Sequence, residues 1–135
     1  MTASAPRRRL ATVTLVVDEY DRAKAFYCGV LGFECVADTE LDEGKRWLVV
    51  APKGGTGAAL LLARADGERQ TQAIGNQVGG RVAFFLETDD FARDHAIFLA
   101  NGVRFLEEPR REVYGTVAVF ADLYGNRWDL IEPAP

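Results

Sequence analysis

The feature that most constrains this chain is an internal repeat with an offset of about 70 residues. The run VTLVVDEYDRA, which begins at Val13, corresponds to VAFFLETDDFA, which begins at Val82. Gly32 and Gly102 occupy corresponding positions further along. A repeat with a fixed offset of this length indicates two copies of one structural unit. The sequence therefore predicts two similar modules joined in tandem.

Each copy predicts the element order βαβββ. From Asp21 to Leu31 the apolar residues recur at the spacing of one helical face, and β-branched and apolar runs on either side are typical of strands. Gly32 follows at the position where a helix ends with positive φ. The predicted strands are 10–17, 33–38, 46–51, 58–63, 82–87, 103–106, 114–121 and 127–132, and the predicted helices are 21–31 and 91–100.

The pattern also predicts the domain organisation. Residues 1–9 lack periodicity and are predicted to be a disordered tail. A single domain is predicted over 10–132, in which module one covers 10–64 and module two covers 81–132. The polar stretch 65–80 is predicted to be a linker that can include one helical turn.

The composition excludes several classes of protein. The chain has one histidine, His95, and one serine, Ser4 in the predicted tail, which excludes a Ser-His-Asp hydrolase and a site built from two or three histidines. Two cysteines, Cys28 and Cys35, do not form a disulfide framework and indicate a reducing cytoplasm. The net charge of −4 argues against nucleic acid as a partner, and no apolar run is long enough to span a membrane.

Four motifs resemble those of the vicinal oxygen chelate superfamily, which includes glyoxalase I, extradiol dioxygenases, fosfomycin-resistance enzymes and bleomycin-resistance proteins. The similarity extends over about residues 10–132. The motifs are VTLVVDEYDRAKAFYCGVLGF at 13–33, FLETDDF at 85–91, NGVRF at 101–105 and DLYGNRWDLIE at 122–132. The resemblance implies an α+β fold in which two βαβββ modules form a curved mixed sheet around a cleft, with the helices outside. It also implies a homodimer.

Members of this superfamily that use a metal hold it on four strand positions. The resemblance places these positions at Thr12, Leu61, Arg81 and Asp129. Only Asp129 is a plausible ligand, because leucine donates nothing and a fixed guanidinium repels a cation. We therefore expect no metal and no other cofactor.

The resemblance and the alternation of side chains along strands give a candidate ligand site for an organic molecule. Its predicted members are Thr12, Thr14, Trp47, Leu61, Arg81, Phe85, Tyr114, Arg127 and Asp129. Arg81 and Asp129 have two interpretations of similar weight: they bind ligand oxygens and protons, or they pair with each other. Trp47 and Tyr114 either stack on a ligand or pack in the core. His95 is interpreted as a packed helix residue rather than a catalytic one.

Three functions follow as hypotheses. The first is metal-independent binding of a hydrophobic or aromatic small molecule, as in antibiotic-resistance proteins of the bleomycin type that sequester a drug. The second is a metal-free enzyme that uses Asp129 as acid or base and Arg81 to hold an oxyanion. The third is a metal-dependent lyase, isomerase or dioxygenase of the glyoxalase type.

Overall fold

The computed structural model describes residues 4–135. Residues 1–3 of the predicted tail lie outside the described part. Residues 4–9 of the tail are exposed and belong to no helix or strand. The strands are β1 Thr12–Val17, β2 Glu34–Glu40, β3 Arg46–Ala51, β4 Ala59–Arg64, β5 Val82–Glu87, β6 Arg104–Phe105, β7 Arg110–Glu112, β8 Gly115–Ala121 and β9 Arg127–Pro133, and the helices are α1 Tyr20–Lys24, α2 Gly67–Ala73 and α3 Phe91–Ala100. No helix in the described residues is long and apolar enough to cross a membrane.

The strands form two sheets of mixed direction, one from each predicted module. The first sheet has the order β1-β4-β3-β2, and the second has the order β5-β9-β8-β6 with β7 paired to β8. In each sheet the module's first strand runs parallel to its last strand, while the other pairs are antiparallel. The predicted α+β class and the twofold βαβββ order are therefore confirmed. The short strand β7 is an addition that the sequence pattern did not predict, and the helical turn expected in the linker is the seven-residue helix α2.

The first helix departs from the regular geometry that its apolar spacing predicts. After α1 the chain continues as a π-helix over Ala25–Val30, in which the amide of Leu31 donates to the carbonyl of Phe26 at 3.0 Å. Gly32 then ends the helix with a φ of 75°, a conformation that costs glycine little. Tyr27 lies in this widened turn, is fully buried, and bonds to the second module through its hydroxyl.

One hydrophobic core joins both sheets. Its sheet residues alternate along the strands: Leu15, Val17, Leu48, Val50, Leu60 and Leu62 from the first sheet, and Ala118, Phe120, Trp128 and Leu130 from the second. We call the faces that carry these residues the inner faces, and the opposite faces the outer faces. The indole of Trp128 lies 5.9 Å from the ring centroids of both Tyr27 and Phe33. The inner faces thus share a core with the first helix.

Buried and half-buried hydrogen bonds also join the modules. The hydroxyl of Tyr27 donates to Asp122 Oδ2 at 2.6 Å, and the side-chain amide of Asn126 donates to the same oxygen at 2.9 Å. The hydroxyl of Tyr124 donates to Asp18 Oδ1 at 2.6 Å. Because the carboxylate of Asp122 is buried, these donors are needed to offset its desolvation.

The linker packs against both modules and does not extend into solvent. The side chain of Gln77 bonds the free edge of β1, accepting from the amide of Val16 at 2.9 Å and donating to the carbonyl of Thr14 at 2.6 Å. Gly75, with a φ of 74°, passes so close to Tyr124 that a Cβ would lie 2.2 Å from its carbonyl oxygen. The amide of Gln77 therefore replaces a strand partner and covers one sheet edge.

We expect Tyr27→Phe to lower the free energy of unfolding by about 1–2 kcal/mol, since it removes a buried hydrogen bond to a charged group. Urea unfolding measures the change. Tyr114→Phe is the matched control, because Tyr114 is exposed, and a shift below about 0.5 kcal/mol is expected there. Equal effects of the two substitutions would contradict the role given to the Tyr27–Asp122 bond.

Candidate functional site

The predicted site residues of the first module lie together on the outer face of the first sheet. Thr14 pairs with Leu61 across β1 and β4, and Leu61 pairs with Val49 across β4 and β3. Trp47 lies two residues before Val49 on the same face and is 45% exposed. Thr12 lies two residues before Thr14 on the same face of β1. The four residues therefore form one continuous wall, and Trp47 supplies its exposed aromatic surface.

A cavity of about 290 Å³ opens on this wall. It is lined by Trp47 and Leu61, by the ring of Tyr20 and by Arg64, among others. The guanidinium of Arg64 lies 5.1 Å from the ring centroid of Tyr20, an arrangement typical of a cation–π contact. Arg64 and Tyr20 were not predicted as site residues. They line the cavity because β4 lies close to the first helix, and this contact leaves no periodic signal in the sequence.

A second wall lies on the outer face of the second sheet. Phe85 pairs with Asp129 across β5 and β9, and Asp129 pairs with Val119 across β9 and β8. Phe85 is 65% exposed, whereas Asp129 is only 7% exposed. Arg127 lies two residues before Asp129 on the same face of β9 and is exposed. The second module therefore presents an aromatic ring directly beside a buried carboxyl group.

An ion-paired group borders Asp129, and we call it the Arg110 cluster: Glu107, Arg110, Glu112 and Tyr114. The Nε of Arg110 donates to both carboxylate oxygens of Glu107 at 3.0 Å. Its Nη1 donates to Glu112 at 2.8 Å and to the hydroxyl of Tyr114 at 3.3 Å. Of this cluster the sequence predicted only Tyr114, because the strand β7 that carries Arg110 is too short to give a periodic signal.

The carboxyl group of Asp129 has an unusual environment. Its Oδ1 is buried and has no hydrogen-bond partner among residues 4–135. Burial raises the pKa of Asp129 above the ordinary value of 3.8, the positive charge of Arg110 lowers it, and the negative charge of Glu107 raises it further. Such a carboxyl group takes up a proton more readily than an exposed one.

The structure does not bring Arg81 to Asp129. Arg81 is exposed and lies one residue before β5, and a register shift between Val82 and Phe84 places Val82, not Arg81, opposite Arg127. Because this bulge adds a residue to β5, the simple alternation that predicts Arg81, Ala83 and Phe85 on one face fails there. No ion pair joins Arg81 to Asp129 in the part of the chain that the structure describes.

The two walls lie on different sheets of one chain. The inner faces of the two sheets share the core, so the outer faces, which carry the walls, point away from it. A cavity of about 530 Å³ between the modules includes Phe85, and it is also lined by the inner-face residues Val13, Phe84 and Trp128 and by Ala59, the strand partner of Thr12. The predicted site residues of a single chain therefore form two walls, one on each sheet.

The remaining candidate residues lie away from these walls. The ring of His95 stacks on Phe91 and packs against Phe105, at centroid distances of 5.3 and 4.4 Å. This is the packed position that the helical spacing predicts. Cys28 and Cys35 are both free thiols. None of the three lies on an outer face next to Trp47 or Asp129.

The four positions that the resemblance assigns to a metal do not fit one. They hold a hydroxyl, an aliphatic chain, a guanidinium and a single carboxyl group. Thr12 pairs with Ala59 rather than with Leu61, and Arg81 lies outside β5. Within residues 4–135 no three His, Cys, Asp or Glu side chains are grouped so that they could hold an ion. A divalent cation needs more donors than this set supplies.

We expect Asp129→Asn to raise the free energy of unfolding at pH 7 by about 1 kcal/mol, since it removes a buried charge that lacks a full set of partners. The native state of the wild type binds a proton more tightly than its unfolded state, because the native pKa lies above 3.8. The wild type therefore loses stability as the pH rises from about 3.8 through the native pKa.

Urea unfolding of both proteins at pH 4 and pH 7 measures this difference. The advantage of Asp129→Asn is expected to shrink at pH 4. Asp42→Asn, at an exposed position, is the control and is expected to change nothing. An advantage that is equal at both pH values would show that ionisation of Asp129 is not its cause.

Comparison with known proteins assigns the chain to one protein family. The model of the Glyoxalase/Bleomycin resistance protein/Dioxygenase superfamily matches residues 9–130. An uncharacterized protein from Shewanella frigidimarina (strain NCIMB 400) is 48% identical over 127 residues, which cover 93% of this chain and 94% of the relative.

Two solved structures resemble the whole chain. UcmS2 is 32% identical, with a TM-score of 0.82 over 94% of this chain and 99% of the other. TnmS3, an antibiotic binding protein from Streptomyces sp. CB03234, is 29% identical, with a TM-score of 0.75 over 98% of this chain and 100% of the other. The resemblance thus extends over the sheets that carry both walls.

Proposed function

The chain belongs to the glyoxalase/bleomycin resistance protein/dioxygenase superfamily, and on this premise we propose that it binds and sequesters a hydrophobic, aromatic small molecule without a metal. Antibiotic resistance by sequestration is the corresponding biological role. The similarity to TnmS3, an antibiotic binding protein, supports small-molecule binding over the same fold.

The observation that carries this proposal is the exposed aromatic surface of the two outer walls and of the adjoining Arg110 cluster. Trp47, Phe85 and Tyr114 are 45%, 65% and 50% exposed, although other large aromatic residues of this chain are packed into the core. Exposed rings of this size favour a ligand with planar apolar area, and the polar groups around them can bind its polar atoms. We interpret this exposed aromatic surface as an interaction site.

A homodimer completes the proposed site. Each chain carries its two walls on separate sheets, and a twofold dimer can place the Trp47 wall of one chain opposite the Phe85 wall of its partner. The dimer then holds two equal clefts, and each cleft has a wall from each chain. This arrangement agrees with the cleft that the resemblance implies and with the separation of the walls in one chain.

Binding without turnover is favoured over the enzyme alternatives. Metal-free acid–base catalysis by Asp129 with Arg81 as the oxyanion holder needs the two side chains to act on one ligand, yet Arg81 is exposed and lies before β5. The donor set of the metal-dependent alternative does not fit a metal. The cytoplasmic location stays a prediction, which the two free cysteines support.

We expect the protein to sediment at twice its chain mass of 14.9 kDa. The proposed dimer buries the outer walls, including Trp47 and Phe85, which removes apolar surface from water. Analytical ultracentrifugation across a range of concentrations measures the mass. A monomer at all concentrations, in the presence or absence of a bound compound, would contradict the composite site.

We expect Trp47→Ala and Phe85→Ala each to weaken binding of polycyclic aromatic compounds by about tenfold, since each substitution removes one stacking surface. Fluorescence of the compounds in titrations with protein gives the affinity. Ile97→Ala is the control, because Ile97 is also partly exposed but lies on α3, away from both walls. If the wild-type protein shows saturable binding of none of the compounds in a broad panel, the proposed function is contradicted.

A further inference from the structure

Two arginine side chains lie against the ring of one tyrosine beside the Trp47 wall. The guanidinium carbon of Arg46 is 5.2 Å and that of Arg64 is 5.1 Å from the ring centroid of Tyr20. Both arginines line the cavity of about 290 Å³ that opens on this wall, which we call the Trp47 pocket. The two guanidinium groups differ in their partners, and this difference indicates which of them is available to a ligand.

Arg46 is bound to carboxylates of its own chain. Its Nη1 donates to Asp21 at 2.7 Å, and its Nη2 and Nε donate to Asp38 at 2.7 and 3.0 Å. The side chain of Arg46 is only 19% exposed. Because two carboxylates neutralise this guanidinium, it has little capacity left for a ligand anion.

Arg64 is held in place but keeps most of its donors free. A guanidinium has five N–H donors, and within residues 4–135 the side chain of Arg64 makes one hydrogen bond, from Nη2 to the carbonyl of Gly44 at 3.3 Å. No ion pair joins it to a carboxylate of the same residues. The contact with Tyr20 and the bond to Gly44 orient the guanidinium before a ligand binds, which lowers the entropic cost of binding.

The surroundings of Arg64 favour an anion that is attached to an aromatic ring. Lys45 also lines the pocket and has no ion pair among the described residues, whereas Asp66 is the one carboxylate in the lining. The lining therefore has more cations than anions, although the whole chain has a net charge of −4. The indole of Trp47 lines the same pocket and is 45% exposed, so a ring can stack on it while an acidic group of the ligand meets Arg64.

We propose that the Trp47 pocket binds an ionised carboxylate of the ligand through Arg64 as the specificity-determining residue, so that the ligand class is an aromatic carboxylic acid. This inference rests on the proposed function and makes it more specific. A planar guanidinium fits a carboxylate through two parallel hydrogen bonds, whereas a neutral amide offers only one acceptor oxygen. A volume of about 290 Å³ lies at the lower end of the range for small-molecule sites and suits one end of a ligand.

The test compares three naphthalene probes at pH 7: 2-naphthoate, which is an anion, 2-naphthamide, which is its neutral analogue, and 2-naphthylmethylamine, which is a cation. Isothermal titration calorimetry gives the affinities. We expect the wild type to bind 2-naphthoate about fivefold more tightly than 2-naphthamide at low salt. The preference is expected to shrink in about 0.5 M NaCl, because Arg64 is exposed and salt screens its charge.

Arg64→Met keeps an apolar side chain against Tyr20 and removes the guanidinium. We expect it to abolish the preference and to leave the affinity for 2-naphthamide within about twofold. Arg64→Lys is expected to keep part of the preference, because the charge remains without the planar set of donors. Arg104→Met is the matched control, since Arg104 is an exposed arginine on β6 of the second module, and it is expected to change neither affinity. Circular dichroism checks the fold of each variant.

The outcomes separate this inference from the proposed function. Equal affinity for 2-naphthoate and 2-naphthamide, or tighter binding of 2-naphthylmethylamine, would overturn the carboxylate subsite while binding of aromatic compounds stands. A preference that survives Arg64→Met would overturn the role of Arg64, and its loss in Lys45→Met alone would place the anion on Lys45 instead. If the wild type binds neither these probes nor any compound in a broad aromatic panel, the proposed function fails and this inference fails with it.

Discussion

The shared core between the two sheets is the constraint on which the rest of the structure depends. Trp128 from the second sheet packs against Tyr27 and Phe33 from the first module, and the hydroxyl of Tyr27 reaches the buried carboxylate of Asp122. Because both inner faces are committed to this core, the outer faces must point away from it. The separation of the two candidate walls is a direct consequence of how the modules bury their apolar surface.

This arrangement explains why exposed aromatic residues accumulate on the outer faces. Within each strand, one set of alternating positions is packed in the core and the other carries the residues of a wall, as Trp128 and Asp129 do in β9. The aromatic wall residues Trp47 and Phe85 remain 45% and 65% exposed in a single chain. In the proposed dimer, a ligand and a second chain together remove them from water.

Much of the fold could be predicted from the sequence, because the repeat and the strand and helix periodicities are strong local signals. The order βαβββ in each half and the packed position of His95 follow from spacing alone. The composition of each wall also follows, since Thr14 and Leu61 lie in one row and Phe85 and Asp129 lie in another.

What could not be predicted depends on non-local geometry. The bulge in β5 that removes Arg81 from its expected face leaves no trace in the pattern of apolar residues. The Arg110 cluster forms because a three-residue strand pairs with β8, and so short a strand has no periodicity. The packing of the two sheets around one core depends on contacts between residues about 100 positions apart, such as those of Tyr27 with Trp128.

The account's central claim is that each binding cleft takes one wall from each of two chains, and subunit mixing tests it most directly. Trp47→Ala and Phe85→Ala proteins, each defective alone, are unfolded together, refolded as a mixture and titrated with a polycyclic aromatic compound that the wild type binds. In a mixed dimer one cleft carries both substitutions and the other carries neither, so about a quarter of all clefts should regain wild-type affinity. A mixture that binds no better than the separate variants would contradict the account.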